Sequence, residues 1–287
     1  MKFLACLPLL CISFISLSQT HYQGPVIDMH VHVAAFPEER MGLGAPNAIQ
    51  DIIPYLKPNN INNAGILTIA HGGNMGETRK RNDSIIMLHK RYPQLIPVCS
   101  VHPGDTTAAW EEMARLKKAG VNILKLHPSA QHFDVASSQV AALAECAGKL
   151  KMALLFDSFN PEDATELGKL MMLGINHPGT KIILAHMGFV HFAELLTITV
   201  WQKYSWYKNN IWMDISAIMP LMGDSPYREH IMWVMRKIGI GQFIYGSDFP
   251  LFTFKESLAA IRKMGFKSEE EKKLLHDNAL RLLQSLQ

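Results

Sequence analysis

The sequence predicts an α/β protein folded as a single (β/α)8 TIM barrel. Three observations carry that reading: short apolar runs alternate with longer amphipathic stretches, the runs number eight, and polar chemistry gathers at their C-terminal ends. At 287 residues, 48% of them apolar, the chain is long enough to bury one large core, and no second domain is required. Charged residues make up 18% and the net charge is only +3, which excludes the basic field of a nucleic-acid binder.

Met1-Lys2 gives a short positive start, residues 3–17 an apolar run, and Ser16-Leu17-Ser18 a small polar close. The run, about fifteen residues, is shorter than the roughly twenty a membrane span needs but matches the apolar region of a secretory signal. Residues 1–18 therefore read as a signal peptide with Gln19 as the mature terminus, and residues 24–287 as the barrel domain. That makes the expected protein exported, periplasmic or secreted, with no transmembrane segment once the signal is removed. Cys6 and Cys11 would leave with the signal; Cys99 and Cys146 read as small buried hydrophobes whose pairing is left open.

The eight apolar runs are residues 26–33, 65–70, 95–101, 121–126, 152–156, 181–185, 211–215 and 242–245. Amphipathic patterns such as 106–119 and 136–150 lie between them. A recurrence of roughly 30 residues argues for parallel strands joined by right-handed crossovers, and the count of eight favours closure over a doubly wound open sheet. The last helical segment, 268–286, is expected to pack on the barrel exterior.

In such a barrel the chemistry sits at the C-terminal strand ends. The first run carries Asp28, His30 and His32 at alternate positions, which in a strand share one face. Two imidazoles side by side can chelate a divalent cation, although surface strands also carry histidine pairs. The eighth run ends in Gly246-Ser247-Asp248-Phe249-Pro250, and a closed barrel sets it beside the first. Between them the ends read His71 with Gly72-Gly73-Asn74, His102, Lys125 with His127, Asp157, His186, and Asp214 with Ser216. Six of thirteen histidines thus fall at strand ends, which a random scatter would not produce.

Imidazole nitrogen and carboxylate oxygen are the ligands zinc and its first-row relatives take in catalytic sites, with a position left for water. Such a metal acidifies that water, and a carboxylate nearby can take its proton. His30, His32 and Asp248 are the candidate ligands, with a turn cap as the plainer reading of Asp248. His186 is a candidate ligand or a group that hydrogen-bonds the water, with a satisfied core histidine as its plainer reading; Gly188 nearby allows close backbone approach.

Five motifs in order, Asp28-Met29-His30-Val31-His32, Leu124-Lys125-Leu126-His127-Pro128, Leu184-Ala185-His186-Met187-Gly188, Met213-Asp214-Ile215-Ser216 and Tyr245-Gly246-Ser247-Asp248-Phe249-Pro250, resemble the amidohydrolase superfamily. The likeness is to its amidohydrolase-related branch of decarboxylases and lactonases and spans the mature chain. It implies a barrel of the metal-dependent hydrolase type with one divalent metal, zinc first and manganese or iron next. The HxH pair and Asp248 would be ligands and His186 would assist. It implies an enzyme in which activated water attacks an amide, lactone or ester of a small anionic substrate, Asp248 accepts the proton and His186 steadies the transition state. Non-oxidative decarboxylation is the alternative reaction, and a non-catalytic binding barrel the alternative of another class.

Strand five departs from the pattern: where the family usually places a histidine ligand, this chain has Asp157, expected as a carboxylate ligand or polar site residue, or otherwise as a helix cap before Pro161, and the departure also leaves a weak or absent metal open. Lys125 could be carbamylated to bridge two metals, but binding of a substrate carboxylate by Lys125 or His127 is the better expectation, with a salt bridge as the plainer reading. His71, Arg79 and His102 could also line the mouth and hold an anionic group, with exposed loop residues as the plainer reading. Trp201, Trp206 and Tyr207 read as packing or as an interface, which leaves a homodimer open.

Overall fold

A computed structural model describes residues 20–36 and 46–287. The signal-peptide reading and Cys6 and Cys11 lie outside those residues. Eight strands, β1 (Val26–His32), β2 (Ile61–Leu67), β3 (Leu95–Ser100), β4 (Ile123–Leu126), β5 (Ala153–Phe156), β6 (Lys181–Leu184), β7 (Ile211–Asp214) and β8 (Phe243–Ile244), form one sheet in sequence order. Every neighbouring pair is parallel. Closure runs through a parallel bridge between Val31 and Phe249 and backbone bonds from Met29 N to Tyr245 O (2.9 Å) and His32 N to Phe249 O (2.8 Å).

Alternation along the strands sorts the apolar side chains into two cores. One packs outward under the helices and includes Val31, Ile66, Leu124, Leu154 and Met213. The other fills the lumen with Ile27, Met29, Leu67, Val98, Ile123, Leu155, Ile183, Trp212 and Ile244. The amphipathic stretches supply the cover, for example Thr106–Lys118 and Ser138–Lys149.

Three details differ from the sequence reading. β2 begins at Ile61 instead of 65, because Asn62 and Asn63, which look like loop, sit in a strand paired to β1. Within β1 the register to β2 shifts between Asp28 and Val31, a bulge that re-aims the chain. Ile27 and Met29 face the lumen below it, so Asp28 does not share the face of His30 and His32. Its carboxylate instead accepts the amides of His30 (3.1 Å) and Ser247 (2.9 Å), tying β1 to the exit of β8.

The C-terminal segment is the third correction. It is two short helices, Ser268–Lys272 and Asn278–Gln284, separated by a π turn at Lys273–Asp277. Ala279, Leu282 and Leu286 pack against the lumen cluster rather than the barrel exterior, since the lower ends of the strands leave an apolar floor that must be covered. Asn278 fastens the lid by donating to Ile240 O and Phe243 O at 2.8 Å each. Among the described residues no helix is long and apolar enough to cross a membrane. Cys99 and Cys146 are free thiols. Tyr207 is buried against Trp201 and Trp206, while Trp206 stacks on Tyr204 with both rings about half exposed.

Candidate active site

The site is built from His30. Its ring is fully buried, and Nδ1 donates to Asp214 Oδ2 at 2.5 Å. With the proton held there, the Nε2 lone pair is the one aimed into the lumen. Burial, reinforced by the nearby Lys125 charge, holds His30 well below its ordinary range, so the ring stays neutral. Nε2 lies 3.2 Å from His32 Nε2 and 3.5 Å from Asp248 Oδ1, and His32 Nε2 lies 3.3 Å from the same oxygen. Burial alone would raise the Asp248 carboxyl, yet the His32 hydrogen bond and the surrounding imidazoles bring it down to about 2. Gly246 permits this arrangement: a Cβ there would meet His30 Cβ at 2.6 Å and Asp214 Oδ1 at 2.8 Å.

These spacings bear on metal binding. Ligand atoms about 2.1 Å from a shared tetrahedral cation stand about 3.4 Å apart. His30, His32 and Asp248 present that spacing, and His30, His186 and Asp248 offer donor atoms all within 4.8 Å of one another. Nitrogen and carboxylate donors of this kind suit zinc, manganese or iron. The residues fit one divalent metal.

His186 stands in the segment Ala185–Leu196 that leaves β6, on a left-handed turn with φ of 58° at His186, 55° at Met187, 74° at Gly188 and 48° at Phe189. Nδ1 donates to Ser216 O (3.2 Å), with Ser216 Oγ at 3.0 Å, and Nε2 faces Asp157 Oδ2 at 3.2 Å. Burial opposes charge on this ring, but the Asp157 carboxylate more than reverses it and raises His186 to about 9. Both nitrogens face acceptors, so the ring is an imidazolium and would have to release its Nε2 proton to ligate a metal.

Asp157 does not join the acceptors around His30. It sits among basic groups, with His127 Nε2 at 3.5 Å and Lys125 Nζ at 3.9 Å in addition to His186. Burial would raise its carboxyl, but those three partners hold it well below the usual carboxylate range. Of the two site roles open to Asp157, ligand or polar site residue, its surroundings match the second: it pairs with basic groups that converge on it from β4 and β6. His127 accepts from Ala130 N through Nδ1, which leaves the Nε2 proton toward Asp157; burial first of all lowers its pKa to about 4. Lys125 is fully buried and its Nζ has no hydrogen-bond partner.

Of the three expected mouth residues, two are engaged by other parts of the fold. The His102 ring donates from Nε2 to Gln131 O (2.7 Å) and accepts at Nδ1 from Gly104 N (3.0 Å), so both nitrogens serve loop structure. Arg79 points along the helix layer to the buried Glu112 (3.3 Å), which also binds Arg115 and Asn82. His71 is exposed on the loop after β2. Gln131, which has no marked neighbour in the sequence, donates its amide to Ala70 O and Val101 O and accepts His127 N, joining three strand exits. Nothing in Pro128-Ser129-Ala130-Gln131 announced it. Asp214 and Ser216 were visible as polar strand ends, but their work as ring orienters emerges only from the closed barrel.

An eight-stranded parallel barrel with a histidine and carboxylate cluster at the strand exits defines a TIM-barrel metal-site protein. The chain belongs to the amidohydrolase family, whose model matches residues 27–284. No curated protein matches it in sequence. Among solved structures it is similar to 2,6-dihydroxybenzoate decarboxylase from Rhizobium, at 14% identity and a TM-score of 0.70, covering 91% of this chain and 99% of that one. It is also similar to a protein designated 2-pyrone-4,6-dicarboxylic acid hydrolase from Pseudomonas putida, at 18% identity and a TM-score of 0.67, covering 91% and 98%. A third is dihydroxybenzoic acid decarboxylase from Polaromonas, with bound manganese and the inhibitor 2-nitroresorcinol, at 14% identity and a TM-score of 0.69, covering 91% and 97%. At these identities the likeness to solved structures establishes the fold.

Proposed function

We propose that the protein is a metal-dependent hydrolase that cleaves an amide, lactone or ester of a small anionic substrate, with zinc as the metal and manganese or iron as its substitutes. The observation that supports this most is the convergence of His30 Nε2, His32 Nε2 and Asp248 Oδ1 at 3.2 to 3.5 Å, with His30 fixed by Asp214 in the tautomer that leaves Nε2 free. His30, His32 and Asp248 would hold the metal, whose chemistry is to polarise the scissile carbonyl and acidify water. Asp248, ionised across the physiological range, accepts the proton of the attacking water. The His186 imidazolium, whose Nε2 proton rests against Asp157, shares that proton with the oxygen that gains negative charge. Lys125 and His127 anchor the anionic group of the substrate.

Non-oxidative decarboxylation is the second reading, favoured by one feature. A protonated His186 beside the buried Lys125 can hand a proton to the carbon that loses carbon dioxide. The proposed protein acts outside the cytoplasm, on the strength of residues 1–18. Purified protein supplied with zinc or manganese, tested against lactones, amides and esters and against hydroxylated aromatic acids, separates the two chemistries. Release of a new carboxylate supports hydrolysis, and release of carbon dioxide supports decarboxylation.

A further inference from the structure

The exit of β5 and the loop after β6 fit together residue by residue. Asp157 holds the His186 ring at 3.2 Å, and Phe159 packs edge to face on Phe189 at 5.0 Å between centroids and against His191 at 6.4 Å. Between them stands Ser158, buried to 1% exposure. Its hydroxyl donates to Ala185 O and accepts the amide of Gly188 at 3.0 Å. Ala185 and Gly188 flank His186 and Met187, so one hydroxyl bridges the two ends of the left-handed turn.

Left-handed backbone is disfavoured for His186, Met187 and Phe189, and such a turn persists only where its surroundings over-determine it. Gly188 cannot be substituted to relieve it, since at φ of 74° a Cβ would stand 2.6 Å from Leu167 Cδ2. Ser158 supplies the restraint: without Oγ, the buried Gly188 N–H and Ala185 C=O both lose a partner. We propose that Ser158 is a positioning residue for His186, and that the β5 exit of this chain acts as a template for the His186 turn instead of contributing a metal ligand. The proposal rests on the reading that His186 acts at the site.

The test is 15N-histidine NMR of the zinc-supplemented protein, with the His186 ring signals identified by their loss in His186→Gln. In Ser158→Ala the His186 ring signals are expected to shift or broaden while the metal content matches that of the wild type. Ser158→Thr, which keeps the hydroxyl, is expected to restore them. Amide exchange gives a second reading: Gly188 exchanges slowly in the wild type and at least about ten-fold faster in Ser158→Ala. Unchanged His186 signals in a folded Ser158→Ala protein overturn the proposal. Should that variant not fold, fast Gly188 exchange in the wild type overturns it and slow exchange supports it. If His186→Gln leaves turnover untouched, the functional reading fails, whereas the Ser158 coupling is still judged by the ring signals.

Discussion

Asp214 Oδ2 lies 2.5 Å from Nδ1 of His30, both side chains fully buried, and that contact decides which imidazole nitrogen reaches the lumen. A carboxylate can only accept here, so the proton is fixed on Nδ1. An asparagine in its place would carry an amide able to donate, and the ring could then reverse its tautomer. Asp214→Asn is expected to weaken metal binding by about 10- to 100-fold. Competition with a chromophoric chelator measures it.

Lys125 is buried with its Nζ 3.9 Å from the Asp157 carboxylate and without a hydrogen-bond partner. Lys125→Met keeps the length of the side chain but takes one cation from the buried Asp157, which His186 still faces at 3.2 Å. Thermal unfolding should fall by about 2 to 4 °C, in line with roughly 1 kcal/mol for a protein of this size. Activity on an anionic substrate should fall by about 100-fold or more, because an anchoring charge-assisted hydrogen bond is lost. Unchanged activity in a folded variant would show that Lys125 serves only the ion pair.

Much of this centre is visible in the sequence. The alternation of eight apolar runs identifies the barrel, and the polar strand ends identify the face on which His30, His32, Asp248 and His186 meet. What stays hidden has particular causes. The bulge in β1 is a backbone event with no residue signature, so Asp28 looks like a third member of the His30 face. Arg79 looks free until the helix layer brings Glu112, 33 residues away, beneath it. The choice between ligand and polar site residue for Asp157 stays open in the sequence because its three basic partners arrive from other strand exits, and the floor role of Ala279 and Leu282 follows from the width of the lumen, which no local pattern encodes.

His127 gives the metal-free protein a defined response to acid. Its pKa in the fold is about 4 against an ordinary value near 6.5, with burial the first cause. The unfolded chain therefore binds the extra proton first: stability is complete above about pH 6.5 and is lost as pH falls toward 4. The loss from this group is on the order of 2 kcal/mol after allowance for its partial exposure. In His127→Gln the decline between those two pH values should be shallower by that amount, as read by urea unfolding at a series of pH values.

Gly246 is expected to tolerate no side chain. A Cβ would press on both His30 Cβ and the Asp214 carboxylate, so Gly246→Ala must displace the pair that sets the metal-facing nitrogen. About 1 to 3 kcal/mol of overpacking is expected, together with reduced metal content. Calorimetry and metal analysis on the same preparation report both.

The most direct test of the metal centre is elemental analysis of the purified protein beside His30→Ala and His32→Ala, after each is supplied with zinc and freed of excess by gel filtration. The account predicts close to one equivalent of metal in the wild type and its loss in both variants, with the fold intact by circular dichroism. A wild type that retains no metal, or variants that retain as much as it does, would contradict it.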